Sequence, residues 1–299
     1  IYTDTIQWII LMSGLIFIGI PMGYYAIGGM DEIRSTLGSE FLSFGNIGWQ
    51  TFVNWGITII PIWFVGMTLY QRIYSCRDEK EAKKAWFIAG LFEWPIMALM
   101  GVMLGLFARV AAEQGMFASL GYGDVSTMDP ELGLPLLLRS ILPVGLMGLM
   151  MSSYFSAIMS TADSCLMAAS GNLLTDVFGK WLHINQSDAK VLRSSQWLTL
   201  IIGVVALVLA LFMTDVLELM LYSYAFMVSG LFVPIIAALF WNGRNGNAAF
   251  SSMLVGGSTT LVLILSGVDL PLGLDANIYG ILGSLVTYVI VNRFVSFNK

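Results

Sequence analysis

The sequence is poor in charged residues and in the residue types that carry hydrolytic or metal chemistry. Charged residues make up 11% of the 299 positions and hydrophobic residues 57%, which leaves too little polar surface to solvate a water-soluble domain of this size. The single histidine, His183, and the two cysteines, Cys76 and Cys165, provide no disulfide framework, no zinc spacing and only one candidate for a catalytic triad. We therefore expect no enzyme. The net charge of -5, with no basic stripe, argues against nucleic acid as a partner.

Long apolar runs take the place of the missing polar surface. A helix needs about 20 apolar residues to cross roughly 30 Å of hydrocarbon, and eight stretches of the sequence qualify. Spans 1 to 8 are predicted near residues 5–28, 48–70, 85–108, 141–168, 195–214, 217–240, 248–268 and 276–294. The sequence therefore predicts an all-α, polytopic membrane protein with about eight transmembrane helices in a lipid bilayer.

Basic residues are distributed unevenly between the loops. Of the 14 Lys and Arg residues, eleven follow the even-numbered spans and three follow the odd-numbered ones. The positive-inside bias assigns the basic loops to the cytoplasm. We therefore expect a multi-pass protein of the plasma membrane whose C-terminus is cytoplasmic.

Two predicted spans contain residues that disturb a membrane helix. Pro61 lies in the middle of span 2, where a proline removes one backbone hydrogen bond and exposes carbonyls at mid-depth. A helix interrupted there is what a solute or ion site would use, so Pro61 is a candidate for gating. Glu93 lies in span 3, just before Pro95. It is either a proton site for coupling or a neutral acid bonded to a kinked backbone.

Span 4 carries the strongest polar pattern. Ser152, Ser156, Ser160 and Ser164 recur every fourth residue, so they lie on one helix face, and Asp163 stands beside them. Serine stripes alone are usually packing faces. A carboxylate in hydrocarbon costs about 2.5 to 3.5 kcal/mol even on the lenient insertion scale, so it indicates a function. Hydroxyl, carbonyl and carboxylate oxygens are hard ligands, and a sodium ion would neutralise Asp163.

A second carboxylate, Asp4, lies at the cytoplasmic start of span 1, at a depth comparable to that of Asp163. The two carboxylates could share one ion. Alternatively, Asp4 is a first-turn acid that the helix dipole favours.

Several segments together resemble the sodium:solute symporter family, which includes carriers of proline, pantothenate, sialic acid, sugars, iodide and choline. The segments are residues 2–7, Gln71-Arg72 followed by 78–84, 156–164, and 222–225 leading into 230–234 and 239–241. The segment 156–164, Ser-Ala-Ile-Met-Ser-Thr-Ala-Asp-Ser, is the most specific of them. The resemblance runs in order over essentially the whole chain.

The resemblance implies a leucine-transporter-like bundle of two five-helix repeats in opposite membrane orientation. The chain would be a single transmembrane domain of residues 1–299, in which 1–30 is the last helix of the first repeat and 45–241 the second repeat. Residues 246–299 would add two C-terminal helices. The N-terminal helices of the first repeat would then be missing partners from the same protein, which agrees with a chain that opens at Ile1 and enters a span almost at once.

Carried over by position, the family's main sodium site would use the carbonyl of Ala157 and the hydroxyls of Ser160 and Thr161. A second site, present in some members, would match Asp4, Ser160, Asp163 and Ser164. Family members often carry serine at the position of Asp163, so the carboxylate either tightens ion binding or couples a proton. The resemblance therefore implies Na⁺ as the coupling ion.

The same resemblance implies solute-lining positions in spans 2 and 6. These are Trp63, Gly66, Met67, Tyr222 and Tyr224, although paired tyrosines near a helix start are also typical of membrane-interface anchors. Gly66 and Met67 replace amide residues of several members, which disfavours a sugar. An aromatic, amide-poor pocket favours a small zwitterion, a carboxylate or a quaternary amine, the last through cation–π contact.

The resemblance as a whole predicts a sodium-coupled secondary symporter that imports a small polar organic solute by alternating access. Two alternatives remain at this point. One is a proton-coupled carrier of the same fold, and the other is a transporter-like domain that serves as a sensor or scaffold.

Overall fold

A computed structural model of the chain describes residues 2–181, 188–212, 215–241 and 245–297. These residues form helices joined by turns, with no β-strand among them. The helices are α1 Thr3–Ala26, α2 Gly29–Phe41, α3 Trp49–Val65, α4 Met67–Tyr74, α5 Glu79–Glu113, α6 Gly133–Ile141, α7 Val144–Gly179, α8 Asp188–Phe212, α9 Val216–Phe240, α10 Gly246–Ser266 and α11 Ala276–Phe297.

Each of the eight predicted spans is largely helical over its described residues, and in that part of the chain seven helical segments are long and apolar enough to cross a membrane. The eighth predicted span, α11, is a helix of 22 residues that is not among these seven. Asn277, Asn292 and Arg293 lie within it and lower its mean hydropathy. Two spans are longer than predicted, because α5 begins at Glu79 and α7 continues to Gly179.

The chain divides into two compact units. Unit 1 comprises residues 1–44 and 72–205. Its core packs α1, α5 and α6 together around fully buried side chains such as Ile27, Phe117 and Leu137. The long helix α7 packs against α1 and joins this core through Met150, which is 2% exposed.

Unit 2 comprises residues 45–71 and 206–299 and packs α9, α10 and α11 against one another, with α3 against α9. Small residues bring these helices close together. A Cβ added to Gly256 would lie 2.1 Å from the backbone oxygen of Ser229, and one added to Gly280 would lie 2.0 Å from the Thr260 hydroxyl oxygen. Close approach through small residues is the usual way in which helices associate in membranes.

Candidate functional site

The predicted main sodium ligands on α7 lie together. The hydroxyls of Ser160 and Thr161 both donate to the carbonyl oxygen of Ala157, over 3.0 and 3.2 Å. The helix itself produces this arrangement, because residues three and four positions apart lie on the same face. Three oxygen atoms therefore converge on one patch of α7 without the help of another helix.

These hydrogen bonds compete with a cation. The Ala157 oxygen accepts a hydrogen bond from each of the two hydroxyls, so a cation that bound there would displace at least one of these bonds. Each hydroxyl can rotate and present its lone pairs instead, since a hydroxyl is both a donor and an acceptor. In the structure the hydroxyls donate to the Ala157 carbonyl. With the hydroxyls rotated, the same oxygens can present their lone pairs to a cation.

The second predicted ion site is built on the next turn of α7. The Ser164 hydroxyl donates to the carbonyl of Ser160 over 2.9 Å, which continues the polar stripe. Asp163 and Thr161 are exposed, whereas Ser160 and Ser164 are partly covered. The side chains of Thr161 and Asp163 are therefore accessible, whereas the two serines are partly packed against their surroundings.

Asp4 lies in the first turn of α1 and is exposed. Its helix packs against α7, and Gly14 of α1 lies against the side chain of Met150 of α7. Both helices that carry the predicted ion ligands therefore belong to one packed pair.

Glu93 lies in a π-helical turn, Phe92–Met97, that also contains Pro95. The N–H of Ala98 donates to the carbonyl of Glu93, a bond that is one residue longer than in an α-helix. Pro95 has no backbone N–H and so cannot make one helix hydrogen bond, and the wider π-helical turn accommodates this loss. Trp8 of α1 packs edge-on against Phe92 with ring centroids 5.2 Å apart, so the distorted turn lies beside α1.

The interruption predicted at Pro61 lies five residues further along the chain. The helix α3 runs through Pro61 and ends at Val65, and α4 begins at Met67 after Gly66 with φ -67° and ψ 108°. Proline is tolerated inside α3 because neighbouring groups can satisfy the freed carbonyl. Gly66 suits the break, since a Cβ there would lie 3.1 Å from the carbonyl oxygen of Ile62.

Two of the predicted solute residues lie beside this break. Trp63 and Tyr224 are partly buried against the cluster of Ile62, Val65 and Val228, which joins α3 to α9. Gly66 is buried and Met67 is exposed. Tyr222 has a different environment, because its hydroxyl donates to the carboxylate of Glu218 one turn earlier. The structure therefore groups Trp63 with Tyr224 and leaves Tyr222 outside that cluster.

A polar cluster in unit 2 was not foreseen from the sequence. It joins Asn54 and Thr58 of α3 to Asp275 and Asn277 at the start of α11, through hydrogen bonds of 2.8 to 3.1 Å. Partial burial raises the pKa of the Asp275 carboxyl above its usual range. The only local sign in the sequence is the spacing of Asn54 and Thr58, four residues apart on an otherwise apolar helix.

The structure offers no alternative metal centre among residues 2–181, 188–212, 215–241 and 245–297, where no group of three or more His, Cys, Asp or Glu side chains could hold a metal ion. His183 lies outside the described residues. The oxygen patch on α7 is therefore the candidate ion site that the described geometry supports best.

Comparison with protein families shows which family the chain matches. The model of the Sodium:solute symporter family matches residues 1–256 of the chain. The osmoregulated proline transporter OpuE of Bacillus subtilis is 24% identical over 97% of this chain and 58% of its own length. The sodium/pantothenate symporter of Haemophilus influenzae is 25% identical over 90% of this chain and 55% of its own length. The chain thus spans little more than half of the curated relatives it matches.

Among solved structures, a substrate-bound, outward-open Na⁺-coupled sialic acid symporter matches with a TM-score of 0.74. The match covers 98% of this chain and 62% of the other, at 18% sequence identity. This likeness confirms the predicted fold class, an all-helical membrane bundle of the symporter type.

Proposed function

Because the chain belongs to the sodium:solute symporter family, we propose that it is part of a sodium-coupled symporter that imports a small polar organic solute. The observation that carries the proposal is the convergence of the Ala157, Ser160 and Thr161 oxygens on one face of α7. Hard oxygen ligands of this kind suit a small hard cation. We assign the main Na⁺ site to these residues.

A second site is proposed at Asp4, Asp163 and Ser164. Successive membrane spans alternate in direction, which makes α1 and α7 antiparallel. Asp4 precedes Gly14 by ten residues and Ser160 follows Met150 by ten, so each lies about 15 Å from the contact between the helices and at a similar level. A second sodium ion there would neutralise Asp163.

The solute is proposed to bind at the break in span 2, against Trp63, Gly66 and Tyr224, with Met67 and Tyr222 as outer lining. A helix end presents backbone carbonyls of its last turn, which are acceptors for a charged ammonium group. Aromatic rings add cation–π attraction for such a group. The relatives named for proline and pantothenate transport are consistent with a small zwitterion or carboxylate.

Transport is proposed to proceed by alternating access. Sodium would tighten the ligand patch on α7 and favour the form that accepts solute, and its release would favour the other form. Each charge that moves inward across 100 mV gains about 2.3 kcal/mol. One ion per cycle therefore supports roughly fiftyfold solute accumulation, at 1.4 kcal/mol per tenfold.

The domain arrangement follows from the same proposal. Residues 1–30 would end the first repeat, 45–241 would form the second, and 246–299 would be additions to it. The C-terminus would be cytoplasmic and the protein would reside in the plasma membrane.

Thermal stability of the full-length protein against a panel of solutes, measured in sodium and in potassium, tests the proposal. The panel contains proline, pantothenate, choline, myo-inositol and sialic acid. We expect one solute to raise the unfolding temperature only when sodium is present, because a ligand that binds the folded state stabilises it. Stabilisation that is equal in both salts would contradict sodium coupling.

A proton-coupled carrier is the second candidate, because Asp163 and Glu93 place two carboxyl groups within predicted spans. Uptake into proteoliposomes separates the two. Uptake that persists without sodium and follows an imposed pH gradient would favour the proton. Uptake that requires sodium and ignores the pH gradient would favour the sodium ion.

A further inference from the structure

The buried stripe of α3 is polar at one end and apolar at the other. Its buried residues are Asn54, Thr58, Pro61, Ile62 and Val65, which recur at the spacing of one helix face. Ile62 and Val65 pack against Val228 of α9. Asn54 and Thr58 instead meet the start of α11. One face of α3 is thus held by two different kinds of contact.

Asn54 binds the segment before α11 in both directions. Its amide nitrogen donates to the carbonyl of Gly273 and to the carboxylate of Asp275, each over 3.0 Å. Its amide oxygen accepts from the backbone N–H of Asp275 over 3.1 Å. Both halves of the amide are therefore used, on partners that lie 219 and 221 residues away in the sequence.

One turn further along α3, a second polar contact repeats the connection. The amide nitrogen of Asn277 donates to the Thr58 hydroxyl over 2.8 Å, and that hydroxyl donates to the carbonyl of Asn54 over 2.9 Å. Asn277 is fully buried, and its amide oxygen has no protein partner among the described residues. An apolar residue at position 277 would avoid the cost of an unpaired buried oxygen, so the hydrogen bond to Thr58 provides something that packing alone does not.

The turn that Asn54 holds is itself strained. Leu272 has φ 61° and ψ 8°, in the left-handed region that only a few per cent of residues other than glycine occupy. Such strain persists where the surroundings fix the conformation. The bond from Asn54 to the next carbonyl, that of Gly273, is a contact of this kind.

We propose that Asn54 is a positioning residue for the solute site: with Thr58, it fixes the rotation of α3 about its own axis by latching the helix to residues 273–277. Hydrophobic contacts tolerate rotation and sliding, whereas a two-way amide contact is satisfied at one angle only. Trp63 and the break at Gly66 lie on the same helix, so the latch sets how they are presented. This inference rests on the proposed solute role of Trp63, but the latch itself can be tested without any solute.

The test measures how fast a single buried thiol reacts with a soluble maleimide in the full-length protein. Cys76→Ser and Cys165→Ser, together with replacement of any cysteine that the full-length protein carries outside this chain, remove the native thiols. Ile62→Cys then reports on the apolar half of the α3 stripe, and Ala237→Cys, in α9 and 1% exposed, reports on unit 2 as a whole. We expect Asn54→Leu to raise the labelling rate at Ile62→Cys by about fivefold or more, the effect of a coupling near 1 kcal/mol. The rate at Ala237→Cys should stay unchanged.

Two further variants keep the test decisive where Asn54→Leu unfolds the protein. Asp275→Ala removes one of the three Asn54 contacts and keeps the two backbone contacts, so it should raise the rate at Ile62→Cys by a smaller factor. The exchanged pair Asn54→Asp with Asp275→Asn should lower the rate below that of Asn54→Asp alone, because a donor and an acceptor again face each other between residues 54 and 275, although the bond to the Gly273 carbonyl stays lost. Asp269→Asn, an exposed acid in the same connection, is the matched control and should have no effect.

An unchanged rate at Ile62→Cys in both Asn54→Leu and Asp275→Ala would overturn the proposal. Equal increases at Ile62→Cys and Ala237→Cys would overturn it too, because they would indicate general loosening of unit 2. Neither outcome depends on transport, so a protein that moves no tested solute would refute the proposed function and leave the labelling result standing.

Discussion

The sulfur atom of Met150 occupies the space in which a side chain at residue 14 would stand. A Cβ added to Gly14 would lie 2.1 Å from the Met150 sulfur and 2.7 Å from its terminal carbon. Glycine thus allows α1 and α7 to approach each other at this point. Because these two helices carry all the proposed sodium ligands, their spacing is expected to affect ion binding.

Gly14→Leu should separate α1 from α7 and weaken sodium binding. Overpacking of this kind costs about 1 to 3 kcal/mol, although Met150 is flexible and would absorb a smaller residue such as alanine. The measurement is the sodium concentration that gives half-maximal uptake. The double variant Gly14→Leu with Met150→Ala should recover most of the loss, since it returns the displaced volume. Equal sodium dependence in Gly14→Leu and the parent would show that this spacing does not matter.

Loss of either hydroxyl of the α7 patch should raise the sodium requirement. We expect Ser160→Ala and Thr161→Val to increase the half-maximal sodium concentration by about tenfold each, equivalent to about 1.4 kcal/mol for one lost oxygen ligand. Sodium-dependent uptake into proteoliposomes checks this. Ser152→Ala, two turns earlier on the same stripe, is the control and should leave the requirement as it was. A sodium requirement unchanged in both patch variants would rule out the proposed main site.

A side chain at Gly256 should destabilise unit 2. In Gly256→Ala the new Cβ would meet the backbone oxygen of Ser229 at 2.1 Å, and backbone cannot move aside as a flexible side chain can. The expected loss is about 1 to 3 kcal/mol in the free energy of unfolding. Thermal unfolding in detergent measures it. Gly101→Ala provides the comparison, because nothing lies within 4 Å of a Cβ at that position. A similar unfolding temperature for the two variants would contradict the packing described for α9 and α10.

The carboxyl of Asp275 should make stability depend on pH. Its pKa is raised in the folded protein by partial burial, so the folded state binds the proton more tightly than the unfolded chain does. Its contribution to stability is therefore largest at low pH and is lost as the pH rises from the unfolded pKa, about 3.9, through the folded pKa. Unfolding temperatures of the parent and of Asp275→Asn, compared across that range, should show a difference that changes with pH. A constant difference would mean that the carboxyl does not titrate as described.

Local patterns predicted the parts of this molecule that depend on one helix at a time. The four-residue spacing of serines predicted the polar stripe on α7, and helix geometry alone brings the hydroxyls of Ser160 and Thr161 to the Ala157 carbonyl. The choice of these residues as sodium ligands came from the family resemblance and stays a prediction. Hydropathy located the long helices because it too depends only on the residues within one segment. The eighth predicted span is the helix α11, in which Asn277 is buried.

Features that depend on distant residues could not be predicted in this way. Pro61 indicated an interruption, but the helix ends at Gly66, where a Cβ would lie 3.1 Å from the carbonyl oxygen of Ile62 and 3.2 Å from the side chain of Leu69. Pro95 indicated a distortion near Glu93 without specifying a π-helical turn. The contact of Asn54 with Asp275 joins residues 221 positions apart, and no local pattern records such a pair.

A side-chain hydrogen bond spans the bend at Gly66. The hydroxyl of Tyr70, in α4, donates to the carbonyl of Phe64 over 2.7 Å, so it reaches back past the break to the last turn of α3. A glycine alone would leave the angle between the two helices free to vary, whereas this hydrogen bond restrains it. A change in the angle between α3 and α4 therefore requires the hydrogen bond from the Tyr70 hydroxyl to the Phe64 carbonyl to break.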